Sequence, residues 1–255
     1  MKKLPLPVWC LLLSTQLLCA QSTVSLTDED EVRIGKILAY EFEQAEGMSP
    51  TLQTRKLDEY LQTVGDRVAA HAQRKLPYQF HFDPSPGFKS AVGLPGGQIF
   101  VGAGILAYID TEDQLAAVLG HEVEHVALNQ CRDRLIKQLA DLHLSPRDAT
   151  RPDPAQPDST RPATYQLKVE PFLPGYGHDN EFAADREGVT LAMEAGYSGD
   201  ATIRLLQTYV ILGEQMPNTP KEAKANLEAR IAQIRTLSAA SKLPKPGAEK
   251  PLALP

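Results

Sequence analysis

A chain of 255 residues with a net charge of −6 has room for one substantial domain with appendages. Its basic residues are scattered, so nothing points to nucleic acid as a partner. Overall composition is that of a globular protein, which excludes a disordered or membrane-embedded chain.

The first twenty residues stand apart. Lys2 and Lys3 precede an apolar stretch, Val8 to Leu18, interrupted by Ser14, Thr15 and Gln16, and Cys19-Ala20-Gln21 follows. That stretch is too short to span a bilayer and reads as a secretory signal over residues 1–20, cut after Ala20. The expectation is an exported protein, periplasmic or secreted, which is also compatible with peripheral contact with a membrane. Cys19 admits a lipoprotein anchor, but Leu18 stands where a small residue is needed, which disfavours it. Cys131 alone survives removal of the signal, so no intrachain disulfide can form, and it reads as a small apolar residue on a helix face.

Residues 21–241 read as one domain. Thr27-Asp28-Glu29-Asp30 caps a helix carrying Val32, Ile34, Leu38 and Phe42, ending near Gly47. A second helix is predicted from about Leu52 to Gln73. Tyr78 to Phe82 alternates as a strand does, and Ser90–Gly93 and Gln98–Val101 flank Leu94-Pro95-Gly96-Gly97 as a hairpin. Glu112 to Lys137 is predicted as one helix, followed by helices near 180–195, 201–213 and 221–238. Between them, residues 145–177 form a proline-rich loop that is expected to be a lid or to lack structure. The proline-rich tail, 242–255, is expected to be disordered.

The chemistry lies in His121-Glu122-Val123-Glu124-His125. On a helix, His121 and His125 are one turn apart and share a face, so their rings can hold one Zn²⁺. Glu122 is rotated out of that ligand set and can act as the base toward a water whose pKa the zinc lowers. A salt-bridged polar helix face is the bland alternative, and Leu119, Val123 and Val126 argue for a buried side instead. A hydrolytic site needs a third ligand, and Glu181-Phe182-Ala183-Ala184-Asp185 offers two carboxylates on one helical face. Glu181 would bind the metal, and Asp185 would accept a hydrogen bond from a ligand histidine and fix its tautomer. Taken alone, that pair would read as a solvated charged face.

Leu94-Pro95-Gly96-Gly97, then Gln114 through Gly120 leading into His121-Glu122 and His125, then Asn180-Glu181 and Ala184-Asp185, together resemble the M48 metallopeptidases, from about Asp28 to Leu237. The soluble, exported bacterial members are the nearest in pattern. The resemblance implies a minigluzincin-like α+β fold, mostly helical, with a small sheet beside the zinc helix. It implies one zinc held by His121, His125 and Glu181, with Glu122 as base and Asp185 behind the ligands. It also implies endopeptidase action on polypeptides, often misfolded or misassembled envelope proteins, with Ser90, Ala91, Val92 and Gly93 as an edge strand for extended substrate. A chaperone-like protein that binds clients over a latent zinc site is the alternative. The chain departs from the family pattern at Ser90, near His178 and at Thr219-Pro220. His178 is left with three readings: oxyanion stabiliser, a fourth ligand that keeps the site latent, or a surface histidine. His71, His81 and His143 read as ordinary histidines.

Overall fold

Thr27, Thr51 and Thr111 each start a helix in the same way. Every one accepts the backbone N–H three residues on, while the side chain at that position returns to the threonine N–H. They open α1 (Asp28–Ala45), α2 (Leu52–Ala69) and, later in the chain, α4 (Glu112–Ala127). The computed structural model describes residues 24–150, 166–173, 175–215, 221–243 and 246–255. The expected signal, 1–20, lies outside the described residues. Among those described, no helix is long and apolar enough to cross a membrane.

After α2 come β1 (Gln79–Asp83), β2 (Ala91–Leu94) and β3 (Gln98–Gly102), with a short helix, α3 (Ala103–Leu106), that the sequence pattern did not announce. The sheet order is β1-β3-β2, with β1 parallel and β2 antiparallel to β3, so β2 lies at an edge. Gly96 and Gly97 turn the hairpin with φ of 74° and 87°, where side chains are strained. A Cβ on Gly96 would also fall 2.6 Å from the Val32 Cα, so α1 sits directly on this turn. Glu31, fully buried, fixes that contact. It accepts the Gly96 N–H (3.0 Å) and pairs with Arg74 (2.5 Å) and Arg132 (3.0 Å).

Helix α4 runs through the middle, buried on nearly every side by Leu115, Leu119, Val123 and Val126 among others. It packs on α2 and β2 on one side and on α6 (His178–Glu194) and α7 (Gly199–Gln215) on the other, and α8 (Lys221–Ala240) covers α6 and α7. The molecule is thus a mostly helical α+β fold with a small sheet beside its central helix.

Three expectations are corrected. The single helix expected over Glu112–Lys137 is two, because Asn129 adopts a left-handed conformation (φ 64°) that few residues but asparagine tolerate, and α5 (Gln130–Asp141) leaves in a new direction. The second helix stops at Ala69, short of Gln73. The tail expected to be disordered runs along the start of α4 instead. There the Glu112 N–H donates to the Lys250 carbonyl (2.9 Å) and the Leu252 N–H to the Asp110 carbonyl (2.9 Å). The first N–H groups of a helix have no partner within it, and the tail satisfies one of them. In the proline-rich segment, Leu167 and Phe172 are buried and Lys168 is held by Gln138 on α5. Residues 151–165 and Pro174 lie outside the described residues.

Helices α4 and α6 meet at two glycines: a Cβ on Gly120 would fall 2.6 Å from the Gly188 carbonyl oxygen. Backbone, not a flexible side chain, stands in the way. Gly120→Val should therefore lower stability by about 1–3 kcal/mol or more, read as a drop in the thermal midpoint, and should spread the two helices.

Candidate metal centre

His121 and His125 leave α4 one turn apart, and their Nε2 atoms lie 2.9 Å from each other. From α6, Glu181 brings Oε2 to 3.4 Å from the His121 Nε2 and Oε1 to 3.7 Å from the His125 Nε2. These ligand atoms all lie within 4.8 Å of one another, the one such group of histidine, cysteine and carboxylate side chains among the described residues. The glycine contact between the helices is what allows a carboxylate of α6 to come so near.

The far ring nitrogens settle the tautomers. His121 Nδ1 is 2.9 Å from the Asp185 Oδ1, and His125 Nδ1 is 2.6 Å from the Gln130 Oε1. Both partners only accept, so both Nδ1 atoms carry a proton. In the neutral rings, two Nε2 lone pairs therefore face each other beside a carboxylate. Two imidazoles and one carboxylate form the donor set that zinc accepts, and the residues present fit the ion.

Arg230, from α8, completes the cluster. Its Nε and Nη2 reach the two Asp185 oxygens (2.5 and 2.8 Å), and Nη1 is 3.4 Å from the Glu181 Oε2. Burial opposes ionisation of Asp185, but hydrogen bonds from Arg230 and His121 prevail and hold it below the usual carboxylate range. Glu181 is likewise held well down: burial is outweighed by the hydrogen bond and charge of His121 and by the Tyr176 N–H (2.7 Å). Burial disfavours charge on His121 too, yet Asp185 and Glu181 push it up to about 10. His125, buried beside that charge, is pushed down to about 3. The surroundings therefore favour one centre of positive charge at the point where the rings meet.

Glu122 points to the other side of the histidines. Its Oε2 accepts the Gly93 N–H (2.8 Å), and burial pushes its pKa up to about 7, the range of a proton acceptor at neutral pH. Glu124 is buried as well but takes no part in the cluster. Two bays flank the centre, one of about 220 Å³ walled by Val118, Val189, Leu205 and Leu206, the other of about 100 Å³ under Phe172 and Tyr176. Ser90 and Ala91 line both.

His121, Glu122, His125, Glu181 and Asp185 are thus brought together, and β2 passes beside them. His178 is not. Its ring is 62% exposed, paired with Asp179 (3.0 Å) and stacked on Phe182 (4.3 Å), and it lines neither bay. At the first position of α6 it turns outward, which removes the geometry for an oxyanion or fourth-ligand role. His71 lies beside Glu194 and His81 beside Gln98 and Glu43, both away from the centre. Sequence reasoning missed Gln130, Arg230 and Tyr176, whose ring stacks on His125 at 4.3 Å. Only Gln130 had a nearby signal, the Asn129 that breaks the helix just before it.

Comparison with known proteins agrees with this geometry. The family model "Peptidase family M48" matches residues 55–238. The β-barrel assembly-enhancing protease of Escherichia coli (strain K12) is 31% identical over 108 residues, 42% of this chain and 21% of that protein. Its counterpart in Yersinia pestis is 25% identical over 171 residues, 64% of this chain and 35% of that protein. The mitochondrial metalloendopeptidase OMA1 of Schizosaccharomyces pombe is 37% identical over 70 residues, 27% of this chain and 20% of that protein. The chain thus spans about a third or less of the length of these relatives.

Removing Arg230 leaves two buried carboxylates without their cation. Arg230→Ala should cost about 3–5 kcal/mol in denaturant unfolding, and adding Asp185→Asn should restore part of that loss.

Proposed function

The chain belongs to peptidase family M48, and from that premise we propose that it is a zinc-dependent endopeptidase of exported or misfolded envelope proteins. The observation that carries this reading is the pair of Nε2 atoms 2.9 Å apart beside Glu181, with Glu122 held next to them by the Gly93 N–H. In it, His121, His125 and Glu181 hold one zinc per chain, with Asp185 and Gln130 fixing the rings. Zinc, when bound, supplies the charge that polarises a carbonyl and acidifies water.

Glu122 takes a proton from the attacking water as its oxygen adds to the carbonyl carbon. The same carboxyl then delivers that proton to the departing amide nitrogen. Burial raises its pKa to about 7, so it can take a proton and give it up again near neutral pH. On β2, the antiparallel ladder turns the backbone groups of Ala91 and Gly93 to the open side. Glu122 already takes the Gly93 N–H, so Ala91 is left to pair with an extended substrate. Such pairing is indifferent to sequence, and the apolar bay adds a preference for an apolar side chain next to the cleaved bond.

The names of the β-barrel assembly-enhancing proteases support substrates of the cell envelope. Lys2, Lys3 and the apolar Val8–Leu18 support export. A second reading, a client-binding protein with a latent site, draws on one observation. Tyr176 stacks on His125 and gives its N–H to Glu181, so the segment before α6 covers one side of the centre.

Metal analysis should find one zinc per chain, lost in His121→Ala. Unfolded casein should be cleaved by the wild type, and Glu122→Gln should reduce the rate about a thousandfold while keeping the metal. If both proteins bind casein and cleave it equally little, the latent reading replaces this one. Because Glu122 works as the anion, kcat/KM should fall as the pH drops below about 7 and level off above it.

A further inference from the structure

The peptidase reading leaves one group unassigned, the donor that steadies the oxygen of the carbonyl under attack. In the larger bay the donors are Lys89, Ser90, Thr202, Tyr209 and Arg230. Four of these are committed or displaced. Arg230 spends Nε and Nη2 on Asp185 and turns Nη1 to Glu181. The Ser90 hydroxyl donates to the Ala91 carbonyl (3.1 Å). The Thr202 hydroxyl is unpaired but sealed in the wall, out of a substrate's reach. Lys89 is exposed on a four-carbon stem, which makes it a mobile charge rather than a fixed donor.

Tyr209 shares the unpaired hydroxyl of Thr202, but its own hydroxyl is not among the sealed ones. Thr202, Leu205, Leu206 and Tyr209 recur at helical spacing, so α7 turns one continuous stripe into the bay. Tyr209 stands at the end of that stripe where the charges of Glu122, Arg230 and Asp185 act on it. Its ring packs against apolar residues of both core clusters, which fixes it, and its hydroxyl has no hydrogen-bond partner among the described residues. Burial pushes the phenol well above its ordinary range, so it keeps its proton and can only serve as a neutral donor or acceptor.

We propose that Tyr209 is a catalytic residue whose hydroxyl, fixed in the wall of the bay and unpaired, donates a hydrogen bond to the oxyanion of the substrate. This rests on the peptidase reading. As the water oxygen bonds to the carbonyl carbon, the carbonyl π pair moves onto oxygen, and the Tyr209 O–H meets the charge without giving up its proton. When that pair returns, the C–N bond breaks and the amine leaves with the proton carried by Glu122. An oriented donor of this kind acts on the transition state far more than on the bound substrate.

The test is Tyr209→Phe in the zinc-loaded full chain, which keeps the ring and its packing. Cleavage of a casein-derived peptide should lose about a hundredfold in kcat with KM within about twofold. Calorimetry with a phosphinic peptide, a tetrahedral mimic, should show weakening by a similar factor, while a cleaved-product peptide binds unchanged. Zinc content and thermal midpoint should match the wild type. Wild-type kcat and phosphinic affinity in Tyr209→Phe would overturn the proposal, as would a comparable loss found in Lys89→Met instead. A wild type that holds zinc yet neither cleaves nor binds the phosphinic peptide would overturn the peptidase reading, and this proposal with it.

Discussion

Two imidazole Nε2 atoms are held 2.9 Å apart, and the side chains around them keep them there. Each ring is fixed from behind, by Asp185 or by Gln130, so neither can swing away or change tautomer to relieve the contact. Gln130 reaches His125 from just past the left-handed Asn129, where α5 begins. Asp185 is available only because Gly120 and Gly188 let α6 come against α4. What the arrangement favours is positive charge where the rings meet. Charge at the site says the same: the carboxylates of Glu122, Glu181 and Asp185 outnumber the guanidinium of Arg230, which leaves an acidic excess beside the rings.

The sheet contributes through one strand. The Glu31 carboxylate holds the Pro95-Gly96-Gly97 turn against α1, and Arg74 and Arg132 hold Glu31. That turn fixes where β2 begins and ends, and β2 carries the Gly93 N–H on which Glu122 rests. A clamp made near the start of the domain thus sets the position of a carboxylate on the central helix.

Much of this was legible in the sequence, and the reason is periodicity. The apolar spacings of α1, α2 and α4, the alternation in β1 and the Pro-Gly-Gly turn each report on residues within a few positions of one another. So does the one-turn spacing of His121 and His125. The Glu181-to-Asp185 face was readable because both members lie on one helix. Arg230 was not, because nothing local in α8 distinguishes an arginine that turns inward to two carboxylates from its exposed neighbours. The break at Asn129 escaped because the apolar pattern continues across it at Leu135 and Leu139, and only the backbone angle interrupts it. The tail was misread because its attachment is made by backbone groups, which composition does not report. His178 drew attention through its nearness in sequence to Glu181, and a helix start can turn such a residue either way.

The order in which the chain emerges gives Arg230 a further meaning. His121 and Asp185 are separated by 64 residues, and Asp185 and Arg230 by another 45. A chain still being synthesised can form α4 with both histidines long before the last helix exists. Until α8 docks, Asp185 lacks its guanidinium, and burying that carboxylate against α4 carries an uncompensated cost. The centre therefore closes from its far end. An unfinished or unfolded copy has the same side chains in its sequence but not the assembled cluster.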